Sequence, residues 1–140
     1  MNFTFLNLPL VDGNEEVVRQ YMNEGILYAI HCGRHLLGVT LLVERSATAI
    51  EIKNIAIEPD YKGKEIAQIV LQMISNSCKE KGYTQVIAGT ANFSIDNIVY
   101  YQKVGFRMEE IEKDFFSQYN KLIRENGLQA IDKLIFLKML

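Results

Sequence analysis

Alternating apolar and polar positions in "NFTFLNL", residues 2–8, predict a first strand. "VDGNEEVVRQYMNEG", residues 11–25, predicts a short helix bounded by Asp12-Gly13 at one end and Gly25 at the other. The β-rich runs "ILYAIHC" and "HLLGVTLLV" then flank Gly33-Arg34, two residues with glycine first, the preference of a type II′ hairpin turn. "ERSA" turns the chain into "TAIEIKNIAIEP", so residues 26–59 read as an antiparallel meander of three strands.

From Lys64 the period changes. Ile66, Ile69, Val70, Met73, Ile74 and Cys78 recur at three- and four-residue steps, and Lys79, Lys81 and Gly82 supply the chemistry of a helix end. "TQVIAGT" reads as a short buried strand, so strand, helix and strand form a right-handed crossover with parallel strands. "SIDNIVYYQKVGF" predicts a shorter helix, with Ser94 as N-cap, Ile95, Ile98 and Val99 on one face and Gly105 as the stop. "FRMEEIEKDFF" continues as a strand, "SQYNKLIRENG" as a short helix or irregular excursion, and "DKLIFLKML" as a final strand. Together these predict an α/β (α+β) fold: a mixed, mostly antiparallel sheet of six to seven strands with helices on both faces and one parallel βαβ crossover.

Composition narrows the function classes. A chain of 140 residues, 49% apolar and 23% charged, suits a single globular domain over residues 1–140 with a full hydrophobic core. A net charge of −2 without long runs of one sign argues against a nucleic-acid track or a polybasic membrane anchor, and points to a small or local partner. Cys32 and Cys78 stand in no metal-ligand or redox spacing and read as reduced core thiols. The first residues lack a basic leader region, and no apolar stretch reaches the ~18 residues of a membrane span, so a cytoplasmic protein is expected.

Several site motifs can be set aside. No G-x-x-x-x-G-K-[ST] loop is present, no G-x-G-x-x-G follows a strand, and His31 and His35 have no acidic or cysteine partner at ligand spacing, so no metal is expected. What stands out is "EPDYKGKEIA", a glycine-punctuated basic turn leading into the best-defined helix. Such a turn can be an ordinary helix start, or it can hold a phosphate on the unpaired N–H groups and positive dipole end of the helix.

The combination of "NIAIEPDYKGKEIA", an amphipathic helix, a strand and then "NFSIDNIVYYQKVGF" resembles the two signature regions of the GNAT superfamily of N-acetyltransferases, over roughly residues 48–108. The resemblance implies acetyl-CoA (coenzyme A) as cofactor. It puts Lys62, Gly63, Lys64, Glu65, Ile66 and Ala67 on a Gln/Arg-x-x-Gly-x-Gly/Ala turn that cradles the pyrophosphate, with Glu65 standing where the family usually has glycine. A carboxylate about 4 Å from a phosphate costs on the order of 4 kcal/mol at an effective dielectric of 20, so Glu65 has to point outward.

"YYQKVGF" matches the family's Tyr-x-x-x-Gly-Phe ending, which implies Tyr101 as the general acid for the departing thiolate; Tyr100, about 100° further round the helix, should point elsewhere. Seven residues before Tyr101 the family often has Asn; Ser94 stands there, with Asn92 and Asn97 as neighbouring polar candidates. Ile55, Ala56 and Ile57 fall where backbone groups pair with the pantetheine arm. Glu51, six residues before Ile57 and on the same face by the two-residue period, falls where some members carry a base. The implied function is transfer of an acetyl group from acetyl-CoA to a primary amine of a small molecule or peptide by direct attack. The alternative is a catalytically weak acyl-CoA-binding or regulatory protein that retains the fold, and a homodimer through "LIFLKML" stays open.

Overall fold

The computed structural model describes residues 2–5, 25–58, 60, 65–118 and 123–140. Along these the chain forms β1 (Asn2–Phe5), β2 (Ile26–Cys32), β3 (His35–Glu44) and β4 (Ala49–Ile57), then α1 (Ile66–Glu80) and β5 (Gln85–Ala91). There follow α2 (Ile95–Lys103), β6 (Arg107–Glu112), a 3-10 turn at Phe115–Gln118, the short strands β7 (Arg124–Glu125) and β8 (Leu128–Gln129), and β9 (Lys133–Met139). The helix expected over 11–25 lies outside the described residues except for Gly25.

Seven strands make one sheet in the order β1-β2-β3-β4-β5-β9-β6. Every neighbouring pair is antiparallel except β4 and β5, which run parallel and are joined through α1, the crossover that the change of period predicted. β2 and β3 close on a two-residue loop between Cys32 and His35, with Gly33 at φ 61 in the left-handed first position that a type II′ turn requires. The final strand is interior, paired on both edges, and Phe136 at its centre is fully buried, so "LIFLKML" serves as a core element of the sheet.

One core cluster joins Val70, Leu71, Ile74 and Cys78 of α1 to Ile50, Ile52, Val86, Ala88 and Phe136 of the sheet, and to Tyr101 and Phe106 at the end of α2. Both described helices therefore cover one face. Fully burying an aliphatic side chain such as Ile74 contributes roughly 1.5–3 kcal/mol. The buried stripe of α1 is narrower than its apolar pattern, since Ile69 is exposed, and Ile95 and Val99 of α2 are exposed too. α2 is anchored by Tyr101 instead. Of the two thiols expected in the core only Cys78 is buried; Cys32, at the end of β2 beside the turn, is exposed.

Two expectations about strands need correction. β4 is interrupted: Leu42 pairs with Ile52 and Leu41 with Asn54, so Lys53 is an extra residue. The two-residue alternation resets there, and Ile50, Ile52, Ile55 and Ile57 all meet the core cluster. Glu51 is thus on the face opposite Ile57, not on the same one. The second correction concerns "SQYNKLIRENG", whose described end is not helical: Arg124–Glu125 and Leu128–Gln129 form a hairpin over Asn126 (φ 55) and Gly127 (φ 73), both left-handed as a type I′ turn demands.

Candidate active site

β4 and β5 pair only from Ala49↔Gln85 to Ile52↔Ala88. Beyond that point β4 stays on β3 as far as Ile57↔Gly38, while β5 stays on β9 as far as Ala91↔Lys133, so the two parallel strands part at the Lys53 bulge. The Glu58 N–H donates to the Leu37 carbonyl at 2.7 Å. Antiparallel pairs alternate between hydrogen-bonded and non-hydrogen-bonded, so counting back from Glu58 puts Ile57 and Ile55 in non-hydrogen-bonded pairs with β3. Their N–H and C=O groups turn into the gap. Ala56 directs its own toward Val39, so it lines the opening without offering peptide groups to it.

Below the gap lies a cleft of about 660 Å³, walled by Ile55 and Ile57 on one side and by both helices on the other. Ala67 brings the first turn of α1 to it, and Ser94, Asn97 and Tyr101 bring α2. Tyr100 lines it as well, contrary to the expectation from helix angle. Asp96 of α2, and Glu125 and Asn126 of the hairpin, are lining residues that the sequence reading missed. The Asn-Gly pair inside "RENGLQ" was the available signal for that hairpin. Asn126 ties its turn to the Phe93 carbonyl by a 3.0 Å hydrogen bond from Nδ2.

The spacing Tyr-x-x-x-Gly-Phe has a mechanical origin at the end of α2. The Phe106 N–H donates to the Tyr101 carbonyl (2.9 Å) and the Gly105 N–H to the Gln102 carbonyl (3.1 Å), the two bonds of a Schellman motif. That motif needs a left-handed residue after the helix cap, which Gly105 provides at φ 94. It also brings Tyr101 and Phe106 together, with ring centroids 5.3 Å apart, and Phe136 closes the other side at 5.3 Å. Tyr101 is consequently 4% exposed, yet still reaches the cleft. Burial pushes its phenol up to about 12, so the proton stays on oxygen throughout the neutral range.

At the opposite helix end, Glu65 occupies the N-cap of α1 at φ 62 and ψ 6, left-handed, with no side-chain capping bond. The glycine expected at this position now has a physical reason, because an L-residue pays for this conformation. Glu65 is exposed, and Ile66 is half-buried against the core. Lys62, Gly63 and Lys64 lie outside the described residues.

The three polar candidates separate. Ser94 makes no capping hydrogen bond and lines the cleft. Asn97 also lines it and donates to Thr90 Oγ1 at 3.2 Å. Asn92 does not line it: its Oδ1 accepts from the Ile131 and Asp132 N–H groups (2.8 and 3.1 Å) and its Nδ2 donates to the Gln129 carbonyl (3.1 Å), so its polar atoms pin the approach to β9.

On the far face of the sheet, Glu51 is 8% exposed and holds Arg45 through Oε1, with Nε and Nη2 both at 2.6 Å. Lys133 Nζ is 3.9 Å from its Oε2. Glu51 belongs to the last turn of pairing before β4 and β5 part, so it borders the gap from the side opposite the cleft. Arg45 and Lys133 are therefore ion partners of Glu51. Among the described residues no cluster of His, Cys, Asp or Glu could hold a metal ion, and no helix is long and apolar enough to cross a membrane.

Known proteins resemble this chain in sequence and in fold. The acetyltransferase (GNAT) domain model matches residues 11–119. The chain is 36% identical over 127 residues to a Bacillus subtilis protein described as "Uncharacterized N-acetyltransferase YvbK", covering 89% of this chain and 81% of that one. A GNAT family acetyltransferase from Elizabethkingia anophelis with acetyl-CoA bound superposes with a TM-score of 0.88 at 29% identity, over 99% of each chain. A Bacillus subtilis acetyltransferase in complex with CoA gives 0.89 at 28% identity, over 99% of this chain and 97% of that one. The chain belongs to the GNAT family of acetyltransferases.

Proposed function

We propose that this protein is an acetyl-CoA-dependent N-acetyltransferase that moves an acetyl group to a primary amine of a small molecule or peptide by direct attack, from one domain spanning residues 1–140. The observation that carries the reading is the parted sheet, with the peptide groups of Ile55 and Ile57 turned into a cleft that Tyr101 also lines. These groups fit the cofactor, because an extended arm carrying amides can pair with a free strand edge as an added strand would. The acetyl-CoA-bound and CoA-bound relatives support the same choice.

When bound, acetyl-CoA supplies the activated acetyl thioester. A gap-facing main-chain N–H of β4 polarises the acetyl carbonyl as oxyanion charge develops. Tyr101, kept protonated by its burial, donates its proton to the departing sulfur. Ser94 and Asn97 offer polar contacts along the arm, while Lys62, Gly63, Lys64 and the uncapped first turn of α1 through Ile66 and Ala67 receive the phosphates. On the other side of the gap, Oε2 of Glu51, the oxygen not engaged by Arg45, takes the proton of the amine. Cys32 and Cys78 need no role, and burial raises the Cys78 thiol to about 11. The setting is cytoplasmic, with a soluble acceptor rather than a nucleic acid or membrane.

Acetyl-CoA titration followed by coenzyme A release over a panel of amines tests the reading. Saturable binding with amine-dependent release is expected. Binding without release from any amine favours the alternative, an acyl-CoA-binding or regulatory protein, which the left-handed charged Glu65 and the Ser94 departure motivate. Absence of binding rejects both.

A further inference from the structure

On the far face of the sheet an ammonium is held half-buried, with no hydrogen-bond acceptor among the described residues. The side chain of Lys133 is 15% exposed and crosses β5 at Gly89, where a Cβ would collide with Lys133 Cε. Its Nζ sits 4.6 Å from the centre of the Phe115 ring, which supports a cation but accepts no conventional hydrogen bond. The nearest carboxylate oxygen among the described residues, Oε2 of Glu51, is 3.9 Å away, beyond hydrogen-bond distance. Among the described residues no protein acceptor bonds Lys133 Nζ, although an ammonium carries three donors. Burial lowers its pKa, the carboxylates of Glu51 and Glu112 opposing that effect and the cations Lys53 and Arg45 adding to it.

The position is informative. Gly89 is the first residue of β5 after its last pair with β4, so Lys133 Nζ stands at the lip of the gap, opposite the cleft. Glu51 already has one oxygen committed to Arg45, and among the described charges that act at this point Lys133, Arg45 and Lys53 outnumber Glu51 and Glu112. A polar ligand that arrives on this face with an anionic group finds an ammonium that no described residue hydrogen-bonds, beside the opening through which its amine must reach.

We propose that the acceptor is an amine that carries a carboxylate a short distance away, as a free amino acid does, and that Lys133 binds that carboxylate. The inference rests on the acetyltransferase reading above. Lys133 then determines specificity, and Gly89 is needed because any side chain there would displace it. A polyamine is disfavoured, since its second cation would meet Lys133 and Arg45.

Steady-state coenzyme A release with matched pairs tests this: leucine against isoamylamine, alanine against ethylamine, and lysine against cadaverine. The carboxylate-bearing member should have a kcat/KM higher by about tenfold to a hundredfold, mostly through KM, the value of one hydrogen bond between charged groups. Lys133→Met should bring that ratio close to one, and Lys133→Arg should keep most of it. Acetyl-CoA titration of both variants establishes that they are folded. Release with no preference for the carboxylate, a preference for the decarboxylated members, or a ratio that Lys133→Met leaves intact overturns the assignment while acetyl transfer stands. Release from no amine, despite acetyl-CoA binding, overturns the transferase reading and this inference with it.

Discussion

Two helix ends meet at the cleft, and each places one residue in the left-handed region: Glu65 at the start of α1 (φ 62) and Gly105 just after α2 (φ 94). At Gly105 the conformation costs little, and the two Schellman hydrogen bonds and the Tyr101–Phe106 contact all follow from it. At Glu65 the same conformation is imposed on an L-residue with no side-chain capping bond. The difference separates two kinds of departure from a family pattern. A residue that sets a side chain's direction has its spacing enforced by geometry, whereas a residue that only frees the backbone can be replaced at a moderate energetic cost.

The largest expected effect tests what the well-formed end is for. Tyr101→Phe should lower kcat at least about a hundredfold, the low end of general-acid contributions, with little change in acetyl-CoA affinity. An unchanged rate removes the proposed acid. Next comes alkaline stability. Because the Tyr101 phenol is pushed up to about 12 in the folded protein, the unfolded chain loses its proton first as pH rises above the ordinary value of 10.0. Stability is therefore complete below that value and falls towards pH 12, by up to about 2–3 kcal/mol. Urea midpoints across that range should show the fall, and Tyr101→Phe should flatten it. Cys78 adds a loss of the same sign at slightly lower pH.

Gly105→Ala should destabilise the fold by about 1–2 kcal/mol, read from urea unfolding, because the left-handed position acquires a Cβ. It should also lower kcat by disturbing the carbonyl that positions Tyr101. The smallest effect belongs to the other end: Glu65→Gly should stabilise by about 1 kcal/mol, a rise in Tm of a few degrees, and tighten acetyl-CoA binding. Glu65→Gln separates the causes, since it removes charge and keeps the strain. If Gln tightens binding as much as Gly, the carboxylate is the unfavourable element; if only Gly does, the backbone is.

Much of this molecule was legible in its sequence, for identifiable reasons. The Gly33-Arg34 hairpin, α1 and the parallel crossover follow from turn chemistry and a clean change of period. "YYQKVGF" was legible because a helix end has one favoured geometry. The Lys53 bulge was also written in the chain, in the order Ile50, Ile52, Ile55, Ile57, where alternation breaks by one; a strict two-residue count passes over it and puts Glu51 on the wrong face. Asn92 shows a different limit: an amide near the motif looks like a ligand until long-range contacts with residues 129–132 claim its atoms. Lys133 was out of reach, because its location depends on Gly89 in another strand and on a register that no local pattern encodes.

The extra residue in β4 also bears on how such a protein can change over generations. A strand with unbroken alternation would present position 51 and positions 55 and 57 to one compartment, so a substitution that altered the choice of acceptor would act among the groups that hold the acetyl donor. With Lys53 inserted, the two halves of one strand answer to different surroundings. Under the proposed function, mutations around Glu51 can then shift which amine is taken while the donor machinery is inherited intact, and a lineage can diversify its substrates without rebuilding its catalyst.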